Sequence, residues 1–388
     1  MSSLWGRRVR LSWIKKFLLA FAFGVFIVTA CLVFAGVPWI TVAPCPVARV
    51  EGASVRVNGK IYVFSGFYNS ALNSTTRVDV YDPKNNTWTK AADIPLAVTH
   101  LNPIFDGKTV WLAGGFQGDH PGPVTANVYK YDVATNTWSL GPPLPEARGG
   151  GALVLHGRKA HYIGGFESDR DTASSAHWVL NVDTGVDWTN AASLPDARGH
   201  LSAAVVNNKI YAIGGQHRHD TNPVDVKRVD AYDPETNTWT RVADLPFERS
   251  HFEPGTFVRN DKIVIVGGRS LVTYRQPWGA LNQITEYDPV TNTWRNLDPL
   301  PVKLLAPVAL PVGNRLYVTH GGLNNTTPPQ SITRYRAFSE GESYQAEAAE
   351  IAGAIVMTNH AGYTGSGFVD FQNALGDSIT EWRESDHN

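Results

Sequence analysis

The residues of this sequence with the clearest chemical capacity recur along the chain at a regular interval. Arginine occupies one recurring position, and histidine occupies a second position two residues further on. The arginines are Arg49, Arg148, Arg198 and Arg249, and the histidines are His100, His200 and His251. Glu51 takes the place of the histidine in one copy, while Val98 and Leu304 interrupt the arginine set.

These side chains permit two interpretations, and the sequence leaves both open. Guanidinium groups bind carboxylates and phosphates through paired N–H donors, and imidazole or carboxyl groups carry protons near neutral pH. A recurring arginine can equally bond to backbone carbonyls and fix the packing of repeated units. Histidine also binds metals, but three histidines on separate repeats need not converge if the repeats form a wide ring. We therefore predict no cofactor, and no metal in this part of the chain.

The interval belongs to an internal repeat of about fifty residues. In each copy an apolar strand ends in a glycine pair. The pairs are Gly114-Gly115, Gly164-Gly165, Gly214-Gly215, Gly267-Gly268 and Gly321-Gly322, with Ser65-Gly66 in the first copy. A Tyr-Asp-Pro-x-x-Asn-x-Trp segment follows, as from Tyr232 to Trp239. The glycines allow close approach of neighbouring backbones, the proline favours a turn, and the tryptophan packs between sheets.

Glycine pair, Tyr-Asp-Pro and tryptophan at this spacing resemble Kelch repeats over about 300 of the 388 residues. The resemblance implies an all-β fold, a six-bladed β-propeller with four strands per blade, spanning residues 38–340. The last copy lacks a tryptophan strand, and the segment from Trp39 to Arg49 matches the segment from Trp239 to Arg249. We therefore expect the N-terminal strand to complete the sixth blade and close the ring, which removes an open sheet edge.

In such a ring the recurring arginines and histidines stand at the mouth of the central channel. The loops on the same face add Arg269, Tyr274 and Trp278, and aromatic side chains can pack on sugar faces. The galactose-oxidase type of copper enzyme resembles this architecture but needs a cysteine cross-linked to a tyrosine. No cysteine follows Cys45, so the sequence argues against that chemistry. Cys45 aligns with Leu245, and we expect it to be a small buried core residue.

Residues 1–37 have the features of a targeting segment. Five basic residues and no acid precede an uninterrupted apolar run from Phe17 to Val37. This arrangement is typical of a signal peptide or of a retained transmembrane helix, and Cys31 lies in a lipobox-like sequence. All three alternatives predict an extracytoplasmic protein, whether secreted, periplasmic or membrane-anchored.

Residues 341–388 depart from the repeat. The segments from Tyr344 to Val356 and from His360 to Phe371 resemble the opening of carbohydrate-binding modules of families six and thirty-five. The resemblance implies a partial β-sandwich, in which Glu347 or Glu350 would help to hold calcium if the module were complete.

A formal net charge of -1 argues against a nucleic-acid partner held by bulk electrostatics. The functional prediction is a binding module for a carbohydrate or a protein partner, acting through the loop face and the channel mouth. The alternative is a sugar epimerase or mutarotase acting on acidic sugars, in which arginine would hold the carboxylate and His or Glu would carry protons. Nothing in the sequence establishes an enzyme, and we expect a non-catalytic protein.

Overall fold

The computed structural model describes residues 37–271, 279–322 and 330–338, with short strands further on. The described part contains six four-stranded antiparallel sheets, and the first strands of neighbouring sheets contact one another. This arrangement confirms the six-bladed β-propeller. The expected N-terminal helix lies outside the described residues, and no helix within them is long and apolar enough to cross a membrane.

Each blade runs from an inner strand to an outer strand. The strands of blades one to three are Ala53–Val57, Lys60–Phe64, Val78–Asp82 and Thr87–Lys90; Pro103–Phe105, Thr109–Ala113, Val128–Asp132 and Thr137–Leu140; and Ala152–His156, Lys159–Ile163, His177–Asn181 and Thr189–Asn190. Those of blades four and five are Ser202–Val206, Lys209–Ile213, Val229–Asp233 and Thr238–Arg241; and Thr256–Arg259, Lys262–Val266, Ile284–Asp288 and Thr293–Leu297.

The sixth blade joins the two ends of the ring. Its strands are Val308–Val312, Arg315–Thr319, Thr333–Ala337 and, from the other end of the ring, Ile40–Val42. Ile40 pairs with Tyr335 and Val42 pairs with Thr333. The predicted closure of the ring by the N-terminal strand is therefore confirmed.

The repeat motif joins each blade to the one before it. In blade four, Asn237 Oδ1 accepts hydrogen bonds from the Tyr232 hydroxyl at 2.8 Å and from the backbone N–H of Ala192 at 2.8 Å. The indole N–H of Trp239 donates to the carbonyl of the same Ala192 at 2.8 Å. The same three bonds tie blade one to the closing strand through Asn86, Trp88 and Ala43. The motif thus spans the interface between blades.

The core lies between blades, where the inner strands bring apolar side chains together. One cluster joins Tyr211 and Ile213 of blade four to Ile263, Ile265 and Tyr287 of blade five. Cys45 is 4% exposed, which confirms the expectation that it is a buried core residue.

The glycine pair allows the close approach that the repeat predicts. A Cβ on Gly214 would lie 2.5 Å from the carbonyl oxygen of Arg249, and Gly214 and Gly215 both have positive φ. In the sixth blade these conformations belong to His320 and Gly321, with φ of 58° and 89°. The pair therefore lies one residue earlier than Gly321-Gly322, the position that the sequence predicts.

Four short strands lie in the C-terminal segment: Ile351–Ala352 pairs with Ser378–Ile379, and Ile355–Met357 pairs with Phe368–Asp370. Short pairs of this kind do not identify a carbohydrate-binding module. The candidate calcium ligands Glu347 and Glu350 lie outside the described residues.

Candidate functional site at the channel mouth

Six equivalent residues, one from each blade, surround the mouth of the channel in a left-handed backbone conformation. They are Glu51, His100, Gly150, His200, His251 and Ala306, with φ between 44° and 65°. Residues other than glycine rarely adopt this conformation, so its recurrence shows that the fold imposes it. Backbone bonds link neighbouring copies, as from His200 N–H to the carbonyl of Gly150 at 2.8 Å.

The histidines of this ring converge, which the sequence did not predict. The imidazole rings of His200 and His251 stack with centroids 3.8 Å apart and 13° between their planes. The ring of His100 lies 4.7 Å from that of His200 although two blades separate them in sequence. The mouth is therefore narrow enough to bring side chains from distant repeats into contact.

A fourth imidazole, that of His219, comes from a loop after the second strand of blade four. Its ring stacks on His200 at 5.0 Å and on Phe116 at 4.9 Å. Asp171 of the neighbouring blade holds this loop by accepting bonds from the backbone N–H groups of His219 and Thr221. The loop has no counterpart of fixed length in the other copies, so repeat analysis does not single out His219.

Two carboxyl groups lie against the imidazoles. Glu253 Oε1 lies 3.1 Å from Nδ1 of His200. The oxygens of Glu51 lie 3.8 Å from Nε2 of His100 and 3.9 Å from Nε2 of His251. Glu253 belongs to a 3₁₀ turn, Glu253–Gly255, at a point where blade five has two more residues than blade four. That insertion is the sequence signal that marks Glu253.

Burial controls the charges of this cluster. Desolvation, with the nearby charge of Glu253, raises the pKa of Glu51 well above its ordinary value, and desolvation raises the pKa of Glu253 to about 7. Burial also lowers the pKa values of His100, His200 and His251 well below the ordinary histidine value. Burial thus favours the uncharged imidazoles and the protonated carboxyl of Glu51.

A cavity of about 610 Å³ opens beside this cluster. Its wall includes Glu51, Phe67, Asn69, His100, His251 and Arg269. The volume falls within the range of about 300–1,000 Å³ that small-molecule sites occupy. The mixture of apolar wall and a few polar groups is also typical of such sites.

Arg269 is held in the cavity wall by a buried network. Its Nη2 donates to Asp225 Oδ1 at 2.9 Å and also to the side-chain oxygen of Gln216. Asp225 further accepts a bond from the Ser250 hydroxyl at 2.6 Å. Because that hydroxyl proton points to Asp225, the Ser250 oxygen accepts a bond from Nδ1 of His251 at 2.7 Å. The lone pair of His251 is then on Nε2, toward Glu51.

Two models of known protein families match the propeller. The family model for the KLHDC2/KLHL20/DRC7 Kelch-repeats domain matches residues 104–322, and the Kelch motif matches residues 48–95. The chain belongs to the Kelch-repeat family. Propellers of this family serve in general as binding modules for proteins or other ligands.

Individual Kelch relatives match only in part. Kelch-like protein 15 of Gallus gallus is 30% identical over 114 residues, which cover 29% of this chain and 22% of the relative. F-box protein AFR of Arabidopsis thaliana is 30% identical over 91 residues, which cover 24% of each chain. The match therefore spans about a quarter or less of these relatives. The structure of YjhT aligns with a TM-score of 0.64 at 17% identity over 77% of this chain and 97% of that chain, which shows the fold alone.

Within the Kelch propeller the candidate residues fall into three groups. His100, His251 and Arg269 line the cavity, and His200 packs against both histidines. Tyr274 and Trp278 lie outside the described residues. The third group consists of arginines that do not line the cavity, namely Arg148, Arg198 and Arg249.

The recurring arginines contact backbone carbonyls. Arg198 is fully buried and donates to the carbonyls of Gly214, Asp196 and Ala212, while its Nη2 pairs with Asp230 at 2.9 Å. Arg249 donates to the carbonyl of Gly267 at 2.7 Å.

Arg148 is also buried, and it lies over the ring of Trp178 with Glu146 at its Nη2. These contacts favour the interpretation that all three arginines fix the packing of the repeated units.

Proposed function

We propose that this Kelch propeller is a binding module that takes a small polyhydroxylated ligand with an anionic group, of the acidic-sugar class, in the mouth cavity. The observation that supports this function is a cavity of about 610 Å³ with a buried, oriented guanidinium in its wall. A concave pocket of this volume suits a small molecule better than it suits a flat protein surface.

Arg269 supplies the recognition of the anionic group. Both of its hydrogen bonds to Asp225 and Gln216 use Nη2, which leaves N–H groups of the guanidinium for another acceptor. Since a carboxylate can take two parallel N–H bonds from one guanidinium, arginine suits a carboxylated ligand better than lysine does.

The rest of the cavity suits a sugar. Phe67, Leu72 and Leu305 provide apolar surface, and the side chains of Asn69 and Ser70 provide neutral hydrogen-bonding groups. Aromatic and apolar surface covers the C–H face of a pyranose, while amides and hydroxyls bond to its hydroxyls. The resemblance of residues 341–388 to a carbohydrate-binding module supports the same ligand class.

Ligand-observed NMR on the full chain, with panels of acidic and neutral sugars, tests this proposal. We expect an acidic sugar to bind, and Arg269→Gln to weaken that binding at least about 10-fold, the loss of one charge-assisted hydrogen bond. Arg241→Gln is the matched control, because Arg241 is exposed on an outer strand and pairs with Asp244. Silence across both panels would overturn the sugar proposal and leave a protein partner on the loop face.

A second candidate function is supported by an acid and a base that face the same cavity. The carboxyl of Glu51 lies 3.9 Å from Nε2 of His251, and both residues line the cavity. In mutarotation, His251 would take the proton of the anomeric hydroxyl while Glu51 gives one to the ring oxygen. The bond between the anomeric carbon and the ring oxygen breaks, and closure on the other face returns both protons.

Exchange NMR on an acidic sugar separates this enzyme from a binder. For a mutarotase or epimerase, Glu51→Gln should lower the rate of anomer exchange at least about 100-fold, a usual contribution of one general acid. Sugar binding should persist in that variant. Exchange at the uncatalysed rate in the unaltered protein would reject the enzyme and leave the binding module.

We further propose that the protein acts outside the cytoplasm, on the strength of the basic and apolar segment in residues 1–37. Protease treatment of cells whose outer membrane, where present, has been permeabilised should then degrade the propeller or release it. Complete protection until the cytoplasmic membrane is lysed would contradict this location.

A further inference from the structure

We propose that His100, His200 and His219 form a binding site for a divalent transition-metal ion, for which zinc is the best match. One nitrogen from each of the three rings lies within 4.8 Å of the other two. The site is distinct from the proposed sugar contacts of Arg269, and it stands whether or not the cavity takes a sugar.

Each of the three imidazoles has its Nδ1 engaged by a different group. Nδ1 of His219 lies 2.7 Å from the carboxylate of Asp220, and Nδ1 of His200 lies 3.1 Å from that of Glu253. Nδ1 of His100 lies 2.8 Å from the hydroxyl of Thr99. When Nδ1 donates to an oxygen, the lone pair of the neutral ring is on Nε2, and metal-binding histidines are held in this way.

Asp220 decides the tautomer of His219, although a second group approaches the same nitrogen. Nη2 of Arg170 lies 3.5 Å from Nδ1 of His219. The carboxylate is closer and accepts only, so Nδ1 carries the proton and donates to Asp220. Arg170 itself pairs with Asp220 at 2.8 Å, which offsets its positive charge beside the three histidines.

His200 supplies an independent indication of a ligand. The side chain is fully buried, and its Nε2 has no hydrogen-bond partner within the described part of the chain. Buried polar atoms without a partner are uncommon because their desolvation costs free energy. A metal ion bound at Nε2 removes that cost.

The geometry requires only a small adjustment. Zn–N bonds of about 2.0–2.1 Å in a tetrahedral site place the ligand nitrogens about 3.3–3.4 Å apart. The three histidine nitrogens lie within 4.8 Å of one another, so each pair must approach by roughly 1.5 Å at most. Phe116 and Phe166 pack on the rings of His219 and His200 and exclude water from this side. The carboxyl of Glu51, 3.8 Å from Nε2 of His100, places a further oxygen beside the site.

Three neutral imidazoles with a further position open toward a cavity match the ligand set of a catalytic zinc ion. Imidazole also suits copper and nickel, whereas calcium and magnesium prefer oxygen ligands. The structure therefore assigns the site to zinc or a neighbouring transition metal. An oxygen of a cavity ligand could complete the coordination, since His100 and His219 both line the cavity.

A calorimetric titration tests the proposal. The full chain is treated with a chelator and then titrated with Zn²⁺ alone. We expect one equivalent to bind with a Kd below about 1 μM. His219→Ala and His200→Ala should each weaken binding at least about 100-fold, and Asp220→Asn about 10- to 100-fold through His219. X-ray absorption of the zinc-loaded protein should show three imidazole nitrogens in the coordination shell.

His217→Ala is the matched control because His217 belongs to the same loop as His219, and its side chain is 40% exposed outside the three-histidine group. Thermal melting of every variant distinguishes loss of a metal ligand from loss of the fold. Of the two alanine substitutions, His219→Ala should destabilise the fold less, because His219 lies in a loop. Less than one equivalent bound in the unaltered protein, or equal weakening by His217→Ala and His219→Ala, would overturn the site.

Discussion

At the scale of single residues, the recurring arginine is best explained as a buried connector within its own blade. Arg198 donates to three backbone carbonyls and pairs with Asp230, and both side chains are fully buried. A buried carboxylate that loses its partner is costly, commonly by about 3–5 kcal/mol. The neighbouring Arg228 also contacts Asp230 at 2.9 Å, which limits that cost.

We therefore expect Arg198→Met to lower the free energy of unfolding by about 3 kcal/mol, the lower end for a broken buried pair. The double substitution Arg198→Met with Asp230→Leu should recover part of the loss, because no carboxylate is then left buried. Denaturant unfolding of both variants measures this, with the exposed Arg241→Met as control. A change below about 1 kcal/mol, as for surface residues, would contradict the structural role.

A second buried pair, remote from the channel mouth, makes stability depend on pH. Nδ1 of His161 lies 2.9 Å from Nε2 of His177, whose own Nδ1 lies 3.0 Å from the carbonyl oxygen of Ala192. Burial lowers the pKa of His161 to about 3 and that of His177 to about 4. In the folded protein both rings are thus neutral, whereas in the unfolded chain they take up protons near pH 6.5.

Since the folded pKa values are depressed, the stability of this pair is complete above about pH 6.5 and decreases as the pH falls toward 4. We expect a loss of about 2 kcal/mol per histidine between pH 7 and pH 5. The double substitution His161→Tyr with His177→Val introduces residues found at the equivalent positions of blade four, Tyr211 and Val229. Between pH 7 and pH 5 the free energy of unfolding should decrease less for that variant than for the unaltered protein. An equal decrease in the two proteins would refute the pair's role.

At the scale of the elements, the contact between blades depends on an asparagine that the repeat motif carries. Asn237 has φ of 54° and accepts bonds from its own blade and from the preceding blade. Asn237→Ala loses both bonds and places alanine in the left-handed region, which asparagine tolerates better, while Asn237→Gly loses the bonds without that backbone cost. We expect losses of about 2–3 kcal/mol for alanine and about 1 kcal/mol less for glycine.

Thermal and denaturant unfolding distinguish these variants, and Glu235→Ala on the exposed part of the same turn is the control. If alanine and glycine at position 237 behave like that control, the asparagine does not join the blades. The result bears on three other copies, since Asn86, Asn136 and Asn292 make the same pair of contacts.

The repeat made the blades predictable, because each strand and turn residue recurs with a fixed physical task. Prediction failed where one copy departs from the repeat. The sixth glycine pair is displaced by one residue because His320 adopts the left-handed conformation of the first glycine. Glu253 lies on a two-residue insertion, and His219 lies in a loop of variable length. The sequence identified His100, His200, His251 and Arg269 as candidates, but it could not show that the imidazoles meet, because the width of the mouth is a property of the closed ring.

At the scale of the whole molecule, ring closure depends on three residues, Ile40–Val42, that pair with Thr333–Tyr335. Interior blades are joined by the continuous chain, whereas the two ends of the described ring meet through this strand pair and through the packing of blade one against blade six. The pair Ile40 and Tyr335 is equivalent to Ser139 and Lys130 inside blade two. The two pairs therefore have similar local geometry, but they enclose about 295 and about 9 residues respectively.

A disulfide at each pair tests how much the closure contributes. Because a cross-link restricts the unfolded chain more when its loop is longer, Ile40→Cys with Tyr335→Cys should stabilise by about 5–6 kcal/mol, against about 3 kcal/mol for Lys130→Cys with Ser139→Cys. Unfolding of the oxidised and reduced forms gives both increments, and a thiol count verifies that the buried Cys45 has stayed free. Equal increments would show that the unfolding ring does not separate at its N-terminal strand. A larger increment at Ile40 and Tyr335 would show that the two ends of the ring separate on unfolding.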